Sequence, residues 1–197
     1  MPIEKFRISI HRHYYRVCVT QRQAYEGLDA RITTLKHAAV SEDEIESNLE
    51  NQHECYELRE QAAVITITFA GMCLEAFFYD YAATHLGDTY AKDHLDKLDL
   101  KSKLLIVPRL VCGKEIDKSA HVYEKVQQLA TDRNYLVHFK SKGFEANEMH
   151  KASDFHDEMN DRFKKAMTNG IAAIELVMKE LDKLHCKPGY YFDRVCT

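Results

Sequence analysis

The stretch AAVITITFAGMCLEAFFYDYAA, residues 62–83, decides the fold. Its segment VITITF (64–69) is rich in β-branched residues, whose stiff side chains favour an extended pleat. No turn cluster brackets it, however, and both flanks carry helical patterns, so the whole run reads as one buried helix. The run is also long enough to cross a bilayer. Glu75 and Asp80 lie inside it, and charge in hydrocarbon is costly, so the packed centre of a helical protein explains it better than a membrane span.

Outward from this run, SEDE (41–44) is a helix start, with Ser41 placed to cap and Glu44, three residues on, to complete a capping box. The helix it opens is expected to run to about His85 and stop at Gly87. Before it, apolar residues at positions 3, 6, 10, 14, 17, 24, 28, 32 and 35 alternate steps of three and four, broken only at Gln21. That period predicts one long helix over roughly the first forty residues. FRISIHR (6–12) also alternates like a strand, which leaves the start of this helix open.

Downstream, DTYAKDHLDKLD (88–99) predicts a short helix capped by Asp88. LKSKLLIVPRLVCG (100–113) predicts a helix interrupted by Pro108 and closed by Gly113. A fifth helix is predicted over 119–139, with Val122, Val126, Leu129, Leu136 and Val137 in its core stripe. KSKGF (140–144) breaks it, and a polar loop leads to about Ala152. The last helix, 153–185, places Phe155, Met159, Phe163, Met167, Ile171, Ile174, Met178 and Leu181 on one face. With no repeat or flexible linker, the expected fold class is all-α: a helical bundle (60–185) with a long N-terminal helical extension (1–59) and a C-terminal tail (186–197) apolar enough to dock.

The chain's 197 residues suit one domain, and 45% hydrophobic content supplies a core. Only 7 Gly and 3 Pro are present, which favours long helices over strands and turns. The cysteines at 18, 55, 73, 112, 186 and 196 show no paired spacing and read as reduced thiols. MPIEKFRISIHRHYYR (1–16) carries charges where a secretion signal needs an apolar run, so a cytoplasmic protein without membrane attachment is expected. The net charge of −4 is unevenly spread. Residues 41–60 hold eight acids against one Arg, and residues 92–142 hold eleven Lys and Arg against seven acids. The second segment offers local attraction for phosphate, unless both are simply solvated helix faces.

The sequence has no Gly-rich phosphate loop, HExxH, EF-hand loop or GxSxG. His11 with His13, and His53-Glu54-Cys55, lack partners at ligand spacing, so neither a metal nor a cofactor is expected. Chemistry concentrates in TDRNYLVHFK (131–140), where Arg133, Asn134 and His138 close the fifth helix ahead of Lys140 and Lys142. An imidazole titrates near neutrality and moves protons, and a guanidinium fork matches phosphate oxygens. The same residues have a structural reading: Arg133 and Asn134 capping carbonyls or pairing with Asp132 or Glu124, and His138 satisfied at an interface. Arg-to-His spacings of this kind also occur at Arg7–His13 and Arg31–His37, but Ile8 and Ile32 follow those arginines where a polar residue follows Arg133.

The set Arg133–Asn134–His138, placed at the end of a late helix behind LKSKLLIVPRLVCGKEID and CLEAFFYD, resembles the motif of the HEPN (higher eukaryotes and prokaryotes nucleotide-binding) family. The resemblance covers roughly residues 60–185 and implies a HEPN-like helical bundle. It implies metal-independent RNA cleavage to a 2′,3′-cyclic phosphate by a toxin or antiviral defence effector. His138 would be general acid or base, Arg133 the phosphorane stabiliser, Asn134 a substrate or histidine partner, and Lys140 and Lys142 the RNA-binding cations. Five residues on a helix rotate by about 140°, so Arg133 and His138 point to different sides of one chain. The family's arrangement, motifs facing across a symmetric homodimer, implies an interface including 119–139. An antitoxin or regulatory protein is a further implied partner. Many family members are non-catalytic binding or dimerisation modules, and that alternative stays open. Lys140 stands where a toxin subgroup carries Tyr, which argues against modification at that position by a nucleotidyltransferase antitoxin.

Overall fold

The computed structural model describes residues 7–39 and 41–197, and among them there is no strand. The long first helix, α1, spans His11–His37, with Arg7–Ile10 leading into it. Positions 3 and 6 of its expected stripe lie outside the described residues. Its buried seam is Tyr15, Cys18, Tyr25 and Ile32, whereas Ala24 faces solvent and Ile10 stays 50% exposed ahead of the helix. The buried side chains therefore sit one position off the expected stripe at three places, Tyr15, Cys18 and Tyr25.

At Ser41 the backbone N–H and the hydroxyl both donate to Glu44 Oε2, at 3.1 and 2.7 Å. This box opens a 3₁₀ turn, Glu42–Glu44, that runs into α2, Ile45–Leu86. Of its 42 residues, most of those from Ala62 onward are buried, and VITITF is helical throughout. Packing overrides β-propensity here, and the Thr66 hydroxyl is satisfied in place by Ala62 O at 2.8 Å. Gly87, at φ 92°, ends the helix in a backbone conformation that strains any other residue. The Glu42–Leu86 segment is apolar and long enough to span a membrane, but 56% of its most apolar window is buried inside the bundle. Packing accounts for its hydrophobicity.

α1 and α2 form an antiparallel hairpin, as four pairs along it show. Arg7 bonds Asp80, Cys18 approaches Thr66, Asp29 bonds Arg59, and Leu35 O accepts from Asn48. Buried Arg59 reaches Asp29 Oδ1 at 2.7 Å and lies over the Tyr56 ring at 4.9 Å, while Lys164 joins Asp29 from the last long helix at 3.2 Å.

After Gly87 the short helix differs from its expected form. α3, Asp88–Tyr90, is capped by Gly87 rather than Asp88 and widens into a π-helical turn over Ala91–Leu95, closed by Asp96 N–H to Ala91 O at 2.9 Å. α4, Leu100–Cys112, starts under Asp99, which accepts from Ser102 N–H at 2.9 Å, and ends at left-handed Gly113. Pro108 does not interrupt it. Burial of Val107 and Pro108 holds the helix through the missing hydrogen bond. α5 spans His121–Val137, and α6 spans Met149–His185. α6 begins four residues before the expected start because Glu145 N–H bonds Glu148 Oε2 at 3.3 Å, opening a 3₁₀ turn that feeds it. The tail docks as α7, Tyr190–Cys196, with the Asp182 carboxylate accepting from Gly189 and Tyr191 N–H at 3.1 and 2.7 Å.

The core collects Ile67, Leu74 and Phe78 of α2, Leu104 of α4, Leu129 of α5, and Ile174, Met178 and Leu181 of α6. Each such side chain stabilises the fold by about 1.5–3 kcal/mol. In α5 the expected stripe holds at Val122, Val126 and Leu129, weakens at half-buried Leu136, and fails at Val137, which faces solvent and is 69% exposed. Phe155 and Met159, at the start of α6, are likewise only half-buried.

Candidate functional site

Arg133 leaves α5 on its buried side and lies across α2. A Cβ at Gly71 would stand 2.8 Å from Arg133 Cδ, so only glycine lets this side chain lie as it does. The guanidinium continues to Glu75, one turn on, with Nη1 3.8 Å from Oε1. The other oxygen of Glu75 is bonded by Lys103 Nζ of α4, whose side chain is 6% exposed. One carboxylate thus ties two cations from two helices.

These groups open into a cleft of about 350 Å³ lined by Glu75, Asp99, Lys101, Thr131, Arg133 and Asn134, with Leu100 and Leu129 at its base. Backbone N–H of Ser102, at the start of α4, holds the Asp99 carboxyl below the usual carboxylate range. Lys101 and Arg133 balance Glu75 and Asp99 in the lining, while the Lys103 ammonium is buried behind Glu75. The cleft offers an anion a guanidinium that is still 39% exposed.

Asn134 lines the same cleft, and its amide makes no hydrogen bond to any described residue. It does not orient His138; only its carbonyl serves, accepting the His138 backbone N–H at 3.0 Å. His138 has left helical geometry (φ −107°, ψ 16°) and caps α5. Its imidazole is exposed, has no side-chain partner among the described residues, and does not line the Arg133 cleft. Neither Asp132 nor Glu124 pairs with Arg133. Asp132 is buried, accepts from Gln128 at 3.0 Å, and lies 3.7 Å from Arg162, which stacks on the Tyr135 ring at 3.5 Å. Burial pushes the Asp132 carboxyl up.

The basic loop divides. Lys140 is exposed and free of partners among the described residues, whereas Lys142 lies over the Phe144 and Phe155 rings at 5.3 and 5.2 Å. Gly71, Glu75 and Lys103 are site residues that the motif alone does not reveal. Their signal is a charge placed inside an apolar helix: Glu75 within GMCLEAFF and Lys103 within LKSKLLIV.

Among the described residues no group of three or more His, Cys, Asp or Glu is arranged to hold a metal ion. All six cysteines are free, and burial pushes the Cys18 thiol up to about 12. Comparison of the chain with protein-family models, curated proteins and solved structures finds no match, so the site stands on its own geometry.

Proposed function

We propose that this protein is a metal-independent endoribonuclease of HEPN type, a toxin or defence effector. The observation that carries the reading is the Arg133–Asn134 cleft, with its part-exposed guanidinium, and a solvent-open imidazole one turn away at the end of the same helix. In the proposed reaction the ribose 2′-oxygen attacks the adjacent phosphorus and the P–O5′ bond breaks. The 2′-hydroxyl proton is taken up and a proton is delivered to the 5′-oxygen, with His138 in one of these roles. Arg133 stabilises the phosphorane charge, Asn134 bonds the substrate, and Lys140 with Lys142 attracts the strand. The products are a 2′,3′-cyclic phosphate and a 5′-hydroxyl.

Arg133 turns inward and His138 outward, so a homodimer is part of the proposal. The exposed stripe of α5, His121, Glu124, Gln127, Thr131, Asn134 and His138, supports pairing of two copies there, each supplying what the other's cleft lacks. A second reading, a catalytically inactive HEPN-like dimer acting as an interaction module, draws support from the Arg133–Glu75 pair, which already engages the guanidinium. Expression in a bacterial host separates them. Slowed growth relieved by His138→Ala supports the nuclease, and equal toxicity of the variant removes it.

A further inference from the structure

The flank of α5 away from the Arg133 cleft carries a groove of about 620 Å³, formed with α2 and α6. Its surface is apolar: Val64 and Ile65 from α2, Leu136 and Phe139 from the end of α5, Met159 and Phe163 from α6. Phe139 remains 42% exposed, a large aromatic surface for a residue beside an open groove. The rim on the α2 side is acidic, with Glu57 and Glu60.

These carboxylates are the end of a longer track. Glu46, Glu50, Glu54 and Glu57 follow one another at helical spacing along α2, and Gln61, Val64 and Ile65 continue that face into the groove. Of the cations beside the track, Arg59 is buried against Asp29 and Lys36 lies over the Tyr56 ring at 5.4 Å, while exposed Lys140 stands at the other end of the groove, next to Phe139. Two imidazoles lie against these carboxylates, His53 at 3.3 Å from Glu57 and His156 at 2.7 Å from Glu60. The track is thus a line of negative charge leading to an apolar trough between two helices.

We propose that this groove docks a basic amphipathic helix of a partner protein. Apolar side chains at i, i+3 or i+4 and i+7 of that helix enter between α2 and α6, and its Lys and Arg residues lie along Glu46–Glu57. Two packed helices present ridges and grooves that accept a third helix. The sign of the rim repels nucleic acid, which separates this surface from the proposed RNA site. A second copy is a poorer occupant. Its α4 exposes Ile106 and Leu110 beside Arg109, but α4 in the groove would be a head-to-tail contact that builds open chains unless it closes a ring. The inference does not rest on the nuclease reading. If both hold, an occupant touching Phe139 sits next to His138, where it regulates access to the imidazole.

The test is fluorescence anisotropy on the full chain with a panel of labelled helical peptides, each carrying Leu or Phe anchors at helical spacing and Lys or Arg elsewhere, beside charge-reversed versions. Basic peptides should bind, with Glu57→Lys and Ile65→Gln each weakening binding by about tenfold or more while circular dichroism stays unchanged. Charge-reversed peptides should bind at least about tenfold more weakly. The proposal is overturned if no basic peptide binds or if both variants bind as wild type does. It is equally overturned if wild type self-associates in sedimentation and Ile65→Gln abolishes that, since a second copy then fills the groove. Binding of a short single-stranded RNA that Ile65→Gln abolishes would assign the groove to nucleic acid instead. None of these failures touches the nuclease reading, because neither Glu57 nor Ile65 lines the Arg133 cleft.

Discussion

Arg133 and Gly71 are fitted to each other: the arginine's Cδ occupies the space a side chain at 71 would take, 2.8 Å from where a Cβ would stand. Gly71→Ala therefore forces Arg133 to move. Alanine gains about 1 kcal/mol of helix propensity over glycine, which offsets part of the overpacking cost of about 1–3 kcal/mol. Urea unfolding should show a net loss of about 0–2 kcal/mol, while RNA cleavage should fall on the order of a hundredfold, because the guanidinium is displaced from its working position. Cleavage at the wild-type rate would mean that the inward position of Arg133 is irrelevant to activity.

Glu75 is bonded by Lys103, whose side chain is 6% exposed, and lies 3.8 Å from Arg133. Removing the carboxylate leaves a buried ammonium without its partner. Glu75→Gln should cost about 3 kcal/mol in denaturant unfolding, and adding Lys103→Met should recover most of it. A double variant as unstable as the single one would show that the Glu75–Lys103 contact contributes little.

The bundle could be read from the sequence because period and caps agreed: the Ser41–Glu44 box and the Gly87 and Gly113 stops fall where spacing put them. Pro108 could not, since only burial of its surroundings keeps α4 continuous, and burial is not a local property. The early start of α6 was hidden because Glu145 and Glu148 form a capping box without Ser or Thr. In the site, Arg133, Asn134 and His138 were legible as residue types, but the direction of Arg133 was not. It depends on a glycine and a glutamate some sixty residues upstream, brought beside it by tertiary packing.

Two stacked imidazoles at the C-terminal ends of α2 and α6 set an acid limit. His85 and His185 stack 5.9 Å apart, and the Tyr81 hydroxyl meets His185 Nε2 at 2.6 Å. Burial pushes both below their ordinary value and Lys187 adds to this; at His185, the His85 ring and Lys114 lower it further and Asp182 opposes. Above about pH 7.5 the rings are neutral in both states and contribute no pH dependence. Below it the unfolded chain takes up protons that the folded chain resists, so stability falls as pH drops. The melting temperature should decline between about pH 7 and 5.5, and by less in the His85→Gln/His185→Gln variant. An equal decline in that variant would place the effect elsewhere, with half-buried His11, also lowered, the next to examine.

The most direct measurement is cleavage of RNA in EDTA by purified wild type beside Arg133→Ala and His138→Ala, with the product ends identified. Wild type should yield 2′,3′-cyclic phosphate and 5′-hydroxyl ends, and each variant should lose on the order of a hundredfold or more in rate. Cleavage that persists in both variants, or no cleavage by the wild type, would contradict a nuclease centred on Arg133 and His138.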